Sequence, residues 1–420
     1  MPDTDNTVEK EKRKIKSVKR MKEVMTEYYI EAKTAEQVGK KVAWITSGGP
    51  VEPLIAMDVI PVYPENHGAM IGAAKMGSEL CEKAEEMGYS RDLCSYAAAD
   101  IACATVNGGP IGGLPKPDML VCCTNICGTV LKWYEVQARY FNVPLFILDT
   151  PFCHTEYADE AKKYVQKQFE TYLEFIAEVC RKRFDRDKLE VVGKLSLEGQ
   201  KLWQAVLDTS THVPAPMSAF DAFFHLALIV TLRGKKITID YYQQLLDEMN
   251  ARIEQGISAV PDEKIRLLWD NIPIWFRTRW LSDKFASRQA CLVADTYTSA
   301  WCSTMKYIRE NKFLESMAEV YTRIYLNIGV DEMAQSIIEM IDKYGVDGFV
   351  MHSNRSCKPY SFGQYDIQRI VQKQRGIPTL MIEADIVDER AFSESQVETR
   401  IDAFLEMLEH SPKYRLRQQT

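Results

Sequence analysis

The chain has 420 residues, of which 46% are hydrophobic, 26% charged and 10% aromatic, the balance of a folded globular protein rather than a disordered or fibrous one. Its length exceeds one ordinary core and predicts two or three domains. The net charge of −7, with no long basic stripe, argues against nucleic acid as a partner. The longest apolar stretch, 222–232, is interrupted by His225 and is too short to span a bilayer, so no membrane association is expected and a cytoplasmic location is.

Residues 1–36 are charged, with Val18, Met21, Val24, Met25 and Tyr28 at helical spacing, which predicts an amphipathic N-terminal helical arm packed on the body or on a second subunit. A first α/β domain is expected over 37–154. Its apolar runs at 41–45, 59–63, 119–123 and 144–148 read as buried parallel strands, with helices at 68–88 and 127–140 between them. Residues 155–285 are expected to be a helical region, with amphipathic stretches such as 161–184 and 239–257. Strand and helix alternate again over 286–420, with strands at 290–294, 348–352 and 378–382 and helices at 312–326, 331–344, 362–375 and 395–409, which predicts a second α/β domain. The fold class expected is thus α/β, two Rossmann-like doubly wound parallel-sheet domains with a helical region between them.

An odd count of eleven cysteines in a chain expected to be cytoplasmic argues against a disulfide framework and leaves metal binding, nucleophilic chemistry or core filling. Ligands of parallel sheets gather at the carboxyl ends of strands. Cys122, Cys123 and Cys127 in CCTNIC, Cys153 in DTPFCH, Cys302, and Cys357 in HSNRSCKP all follow expected strands. Cys94, in RDLCSYAAAD, falls at an expected helix start, where backbone N–H groups favour a thiolate or an anionic cluster. Cys81, Cys180 and Cys291 read as small hydrophobes. No pair has a zinc-knuckle spacing; soft thiolates from remote stretches suit an iron–sulfur cubane, which accepts three cysteines and leaves one iron open. Proton donors expected from their positions after strands are Glu65 and His67 in YPENH and His154 beside Cys153, and the Ser47-Gly48-Gly49 turn could present N–H groups to a substrate or anion.

The segments KVAWITSGGPVEPL, YPENHGA, LCSYA, CCTNICGTVLKWYE, VPLFILDTPF and HSNRSCKP, in this order and over about residues 20–410, resemble the 2-hydroxyacyl-CoA dehydratase and benzoyl-CoA reductase family. That resemblance implies a dimer with a cubane held by Cys94, Cys127 and Cys357. It also implies a separate ATP-hydrolysing iron–sulfur activator protein that delivers low-potential electrons; the chain itself has no GxxxxGK[ST] phosphate loop. Where members of the family carry a bulky basic residue after LCSYA, this chain has Ala97, Ala98 and Ala99, and it carries further thiols at Cys103, Cys153 and Cys302 besides Cys122 and Cys123. This arrangement resembles the family's double-cubane cluster branch. It implies a homodimeric reductase of small-molecule substrates holding an 8Fe-9S double cubane, with Cys153 and Cys302 as second-cubane ligands and Cys103 or Cys123 as the third. A single 4Fe-4S cubane in a dehydratase or aryl-CoA reductase subunit, and a non-catalytic low-potential electron carrier, are the other readings.

Overall fold

The computed structural model describes residues 13–106 and 108–411. The first twelve residues of the expected arm and the last nine of the expected second α/β domain lie outside the described residues. From Val18 to Lys33 the arm is a helix that buries Met21, Val24, Tyr28 and Ala32 against the body, and the Tyr28 hydroxyl donates to the Pro61 carbonyl at 2.7 Å.

Among the described residues, eight strands form two four-stranded sheets. The first contains β1 (Val42–Ile45), β2 (Ile60–Val62), β3 (Met119–Cys123) and β4 (Leu145–Leu148), all parallel, in the order β2-β1-β3-β4. The second contains β5 (Ile265–Asp270), β6 (Ala290–Asp295), β7 (Gly348–Asn354) and β8 (Thr379–Ala384), also parallel, in the order β6-β5-β7-β8. The fold is therefore the α/β architecture with two Rossmann-like parallel sheets that the alternation of apolar runs predicts.

Alternation along β3 sorts its side chains between the two faces of the first sheet. Leu120 and Cys122 join the core that holds Trp44 and Trp133, while Val121 and Cys123 join the one that holds Phe169 and Tyr172. Some helices stop at a residue that turns left-handed: Asn142 (φ 52°) ends Thr129–Phe141, and Gly345 (φ 63°) ends Val330–Tyr344.

One strand departs from the expectation. β5 lies inside the stretch read as helical, because its run is short, flanked by long helices, and contains Arg266. Burial of that arginine is compensated: its guanidinium pairs with Glu263 and donates to the carbonyls of Tyr344 (2.9 Å) and His212 (3.1 Å). β5 is central, since it bridges β6 and β7 and so fixes where the second sheet reverses its order. Among the described residues no helix is long and apolar enough to cross a membrane.

Candidate metal centre

In each sheet the strand order reverses at one place, between β1 and β3 in the first and between β5 and β7 in the second. Loops leaving adjacent strands diverge there and open a crevice. The loop after β1 carries Ser47 and Gly48, that after β3 carries Ile126 and Cys127, that after β5 carries Ile272, and that after β7 carries Cys357. All of these line one cleft, together with Cys94.

Each of the three cysteines stands just before a helix start. Cys94 precedes Ser95–Val106, Cys127 precedes Thr129–Phe141 and Cys357 caps Lys358–Ser361. Backbone N–H groups therefore face each sulfur: those of Tyr96 and Ala97 at Cys94, Thr129 and Val130 at Cys127, and Tyr360 at Cys357. The three sulfurs are close enough to act on one another, Cys127 on Cys94, and both of these on Cys357. Burial pushes the Cys94 thiol up to about 12 and also raises Cys127 and Cys357; neighbouring thiols add to the rise at Cys94 and Cys357, and the Glu65 carboxyl adds to it at Cys127. A cationic partner removes that penalty; a metal deprotonates its thiol ligands outright.

Cross-links hold the cysteine-bearing turns in register. The hydroxyls of Ser95 and Ser356 are hydrogen-bonded at 3.2 Å, and Arg355 pairs with Asp92 at 2.9 Å. Asn354 Oδ1 accepts from the N–H groups of Ser356 (3.2 Å) and Cys357 (3.3 Å). Asn125 Nδ2 donates to the carbonyls of Gly48 (2.9 Å) and Tyr321 (2.7 Å), which ties the Cys127 loop to the Ser47 loop. Tyr96 is fixed by the Trp275 indole N–H and by Gly68, where a Cβ would lie 2.5 Å from the tyrosine ring.

Among the described residues no three His, Cys, Asp or Glu side chains converge tightly enough for a single metal ion. Three thiols spaced around a cleft, each met by N–H groups, suit a polynuclear cluster that spans them.

Not all of the expected ligands share the cleft. Cys94, Cys127 and Cys357 are partly exposed, whereas Cys103, Cys123, Cys153 and Cys302 are buried, and none of these four lines the cleft. Cys153 follows β4 and Cys302 follows β6, both edge strands away from the reversal in strand order. Cys153 bridges to Ile328, and the Cys302 thiol donates to the Gln200 carbonyl at 3.4 Å. Cys123 points to the opposite face of β3 from Cys122, and Cys103 packs with Leu80, Cys81 and Ala84. The structure thus brings together the first three cysteines and leaves the other four apart from them.

Of the expected proton carriers, Glu65 reaches the cleft. Its Oε1 accepts from the Ser47 N–H at 3.2 Å and its Oε2 from the Tyr134 hydroxyl at 3.3 Å, and burial lifts the carboxyl to about 7, poised to exchange a proton near neutral pH. His67 and His154 do not line it. His67 is fully buried behind the wall with Nε2 3.3 Å from the Pro110 carbonyl, and burial drops it to about 4. His154 is exposed and stacks on Phe152.

Sequence reasoning missed Arg233, Gln200, Tyr297 and Trp301, which complete the walls. Arg233 pairs with Glu52 at 3.3 Å, donates to the Gly49 carbonyl at 2.7 Å and lies 5.4 Å from the centre of the Trp301 ring. Glu52 also accepts from the hydroxyls of Ser196 (2.7 Å) and Tyr321. A signal for this network was present, since Glu52 stands as a lone charge in the apolar run PVEPLIA and needs a buried partner.

A two-sheet α/β protein with a thiol-lined cleft at the strand-order reversals of both sheets defines the class. Residues 46–408 match the family described as 2-hydroxyglutaryl-CoA dehydratase, D-component, and the chain belongs to that family. It is 34% identical to the (R)-2-hydroxyisocaproyl-CoA dehydratase alpha subunit of Clostridioides difficile, over 93% of this chain and 96% of the relative. To the (R)-phenyllactyl-CoA dehydratase alpha subunit of Clostridium sporogenes it is 32% identical, over 95% and 97%. A benzoyl-CoA reductase polypeptide of Thauera aromatica is 27% identical, over 94% of each chain.

Proposed function

We propose that the chain is the cluster-bearing catalytic subunit of a dehydratase or reductase acting on a coenzyme A thioester, with Cys94, Cys127 and Cys357 holding a [4Fe-4S] cubane. The observation that carries this reading is the convergence of these three thiols on one cleft, each at a helix start. A cubane held there would supply low-potential one-electron chemistry and a Lewis-acidic iron.

The chain's own residues bind, orient and move protons. Glu65, held by the Ser47 N–H and the Tyr134 hydroxyl, accepts or returns the substrate proton at a carboxyl oxygen. Ile126, Ile324 and Leu326 exclude water from the reacting carbon, which strengthens each polar contact made inside. The Ser47 turn orients Glu65 from one side, and the Asn125 amide holds that turn against the Cys127 loop. Electrons come from a separate ATP-hydrolysing iron–sulfur activator, and a different partner subunit completes the enzyme in this reading, whereas a second copy of the chain completes a homodimer in the 8Fe-9S reading. The 8Fe-9S reading has less behind it, because Cys103, Cys123, Cys153 and Cys302 do not share a cavity with the first three.

Iron analysis of anaerobically purified variants tests the assignment. Cys94→Ala, Cys127→Ala and Cys357→Ala each lose iron relative to the parent, and full retention in all three overturns it.

A further inference from the structure

The helix Ser95–Val106, which begins just after Cys94, is built largely from small residues, and Ala97, Ala98, Ala99 and Ala102 are all enclosed. Alanine methyls interlock weakly with their neighbours, so packing alone does little to fix how far this helix turns or slides. Asp100 is its one charged residue, and at 1% exposure it is buried too. A carboxylate enclosed in this way costs free energy that an apolar side chain of similar size would not.

A single oxygen of that carboxylate, Oδ2, accepts from Trp133 Nε1 at 2.8 Å and from Gln137 Nε2 at 2.7 Å. Both donors are uncharged, and both stand on Thr129–Phe141, four residues apart and so on one face of that helix. This is the helix whose first N–H groups, those of Thr129 and Val130, face the Cys127 sulfur. Trp133 also lines the cleft, and Tyr134 beside it donates to Glu65 at 3.3 Å. Asp100 thus joins the helix that starts at Cys94 to the helix that starts at Cys127 and supports Glu65. An apolar residue in its place would leave the Trp133 N–H and the Gln137 amide buried without that acceptor.

We infer that Asp100 is a positioning residue of the metal centre: its shared oxygen sets the register between the helices that begin at Cys94 and Cys127, and with it the spacing of their two sulfurs. This inference rests on the cluster reading of these cysteines.

Three variants separate the acceptor from the charge. Asp100→Asn keeps an acceptor oxygen and drops the charge, Asp100→Ala drops both, and Trp133→Phe keeps a ring in the wall and removes only one donor, with little change in core volume. Each is purified anaerobically with its cluster, and two properties are read without turnover: the electron paramagnetic resonance spectrum of the reduced protein and the rate at which a chelator strips its iron. Asp100→Ala loses iron at least about tenfold faster than the parent and Trp133→Phe at least about threefold faster, both with shifted g values, while Asp100→Asn stays within about twofold of the parent. The double variant Asp100→Ala, Trp133→Phe stays within about twofold of Asp100→Ala, because both changes break one link. The parent's spectrum and rate in either Asp100→Ala or Trp133→Phe overturn the inference, even where urea unfolding finds that variant less stable, since the link would then be structural only. Asp100→Asn behaving as Asp100→Ala also overturns it, because the charge and not the shared acceptor would then be what the centre requires. A parent that holds no iron overturns the cluster reading itself.

Discussion

Replacing Glu52 by glutamine removes the counter-charge of a guanidinium that cannot give up its proton. The pair is enclosed, with side-chain exposures of 5% for Arg233 and 1% for Glu52, and its N···O separation is 3.3 Å. At that distance and an effective dielectric of about 20, the attraction is about 5 kcal/mol. Glutamine still offers one acceptor to Ser196 or Tyr321, so the expected loss is about 3–5 kcal/mol, the range for breaking a buried pair by removing one partner. Urea unfolding of Glu52→Gln, Arg233→Met and the double variant, followed by tryptophan fluorescence, measures it as a cycle. Because the double variant buries no unpaired charge, it should be more stable than Glu52→Gln alone. A loss below about 1 kcal/mol for Glu52→Gln, the size of an exposed pair, would refute the reasoning, as would additivity in the double variant.

Asp100 accepts from the Trp133 indole N–H (2.8 Å) and Gln137 Nε2 (2.7 Å), and burial raises its carboxyl from 3.8 to about 6. A raised carboxyl contributes stability below the unfolded value and loses it as pH rises to the folded one. Asp100→Asn should therefore gain up to about 3 kcal/mol on the parent between about pH 4 and pH 6, with no further change above, and a constant difference across that window contradicts the assignment. Turnover that draws on the protonated form of Glu65 falls as pH rises through about 7, and Glu65→Gln lowers the rate at least about 100-fold with iron content retained. Loss of iron in that variant would show a structural role instead. Cys103→Ala, Cys153→Ala and Cys302→Ala are expected to keep the parent's iron and spectrum; a drop in any of them would reinstate the second cubane.

Much of the fold is legible in the chain because buried parallel strands are short apolar runs, and seven of the eight strands among the described residues are visible as such. β5 escapes because a strand with a charged residue inside it looks like part of an amphipathic helix until the partners of Arg266 are known. The site is legible to a different degree. Cys94, Cys127 and Cys357, which line the cleft, stand out by their motifs, whereas Cys153 and Cys302 follow edge strands away from the reversal of strand order, a placement that only the sheet topology shows. Cys103 lies away from the cleft for a helical reason, since nine residues beyond Cys94 is two and a half turns and the opposite face. Arg233 comes from a stretch with no recognisable motif, and proximity to Glu52 is a tertiary fact.

The most direct test of the account is the iron and sulfide content of the anaerobically purified protein. About four irons and four sulfides per chain, lost together on replacing Cys357, is the result the account predicts. A chain without iron after anaerobic preparation, or one with about eight irons that survive that replacement, would contradict it.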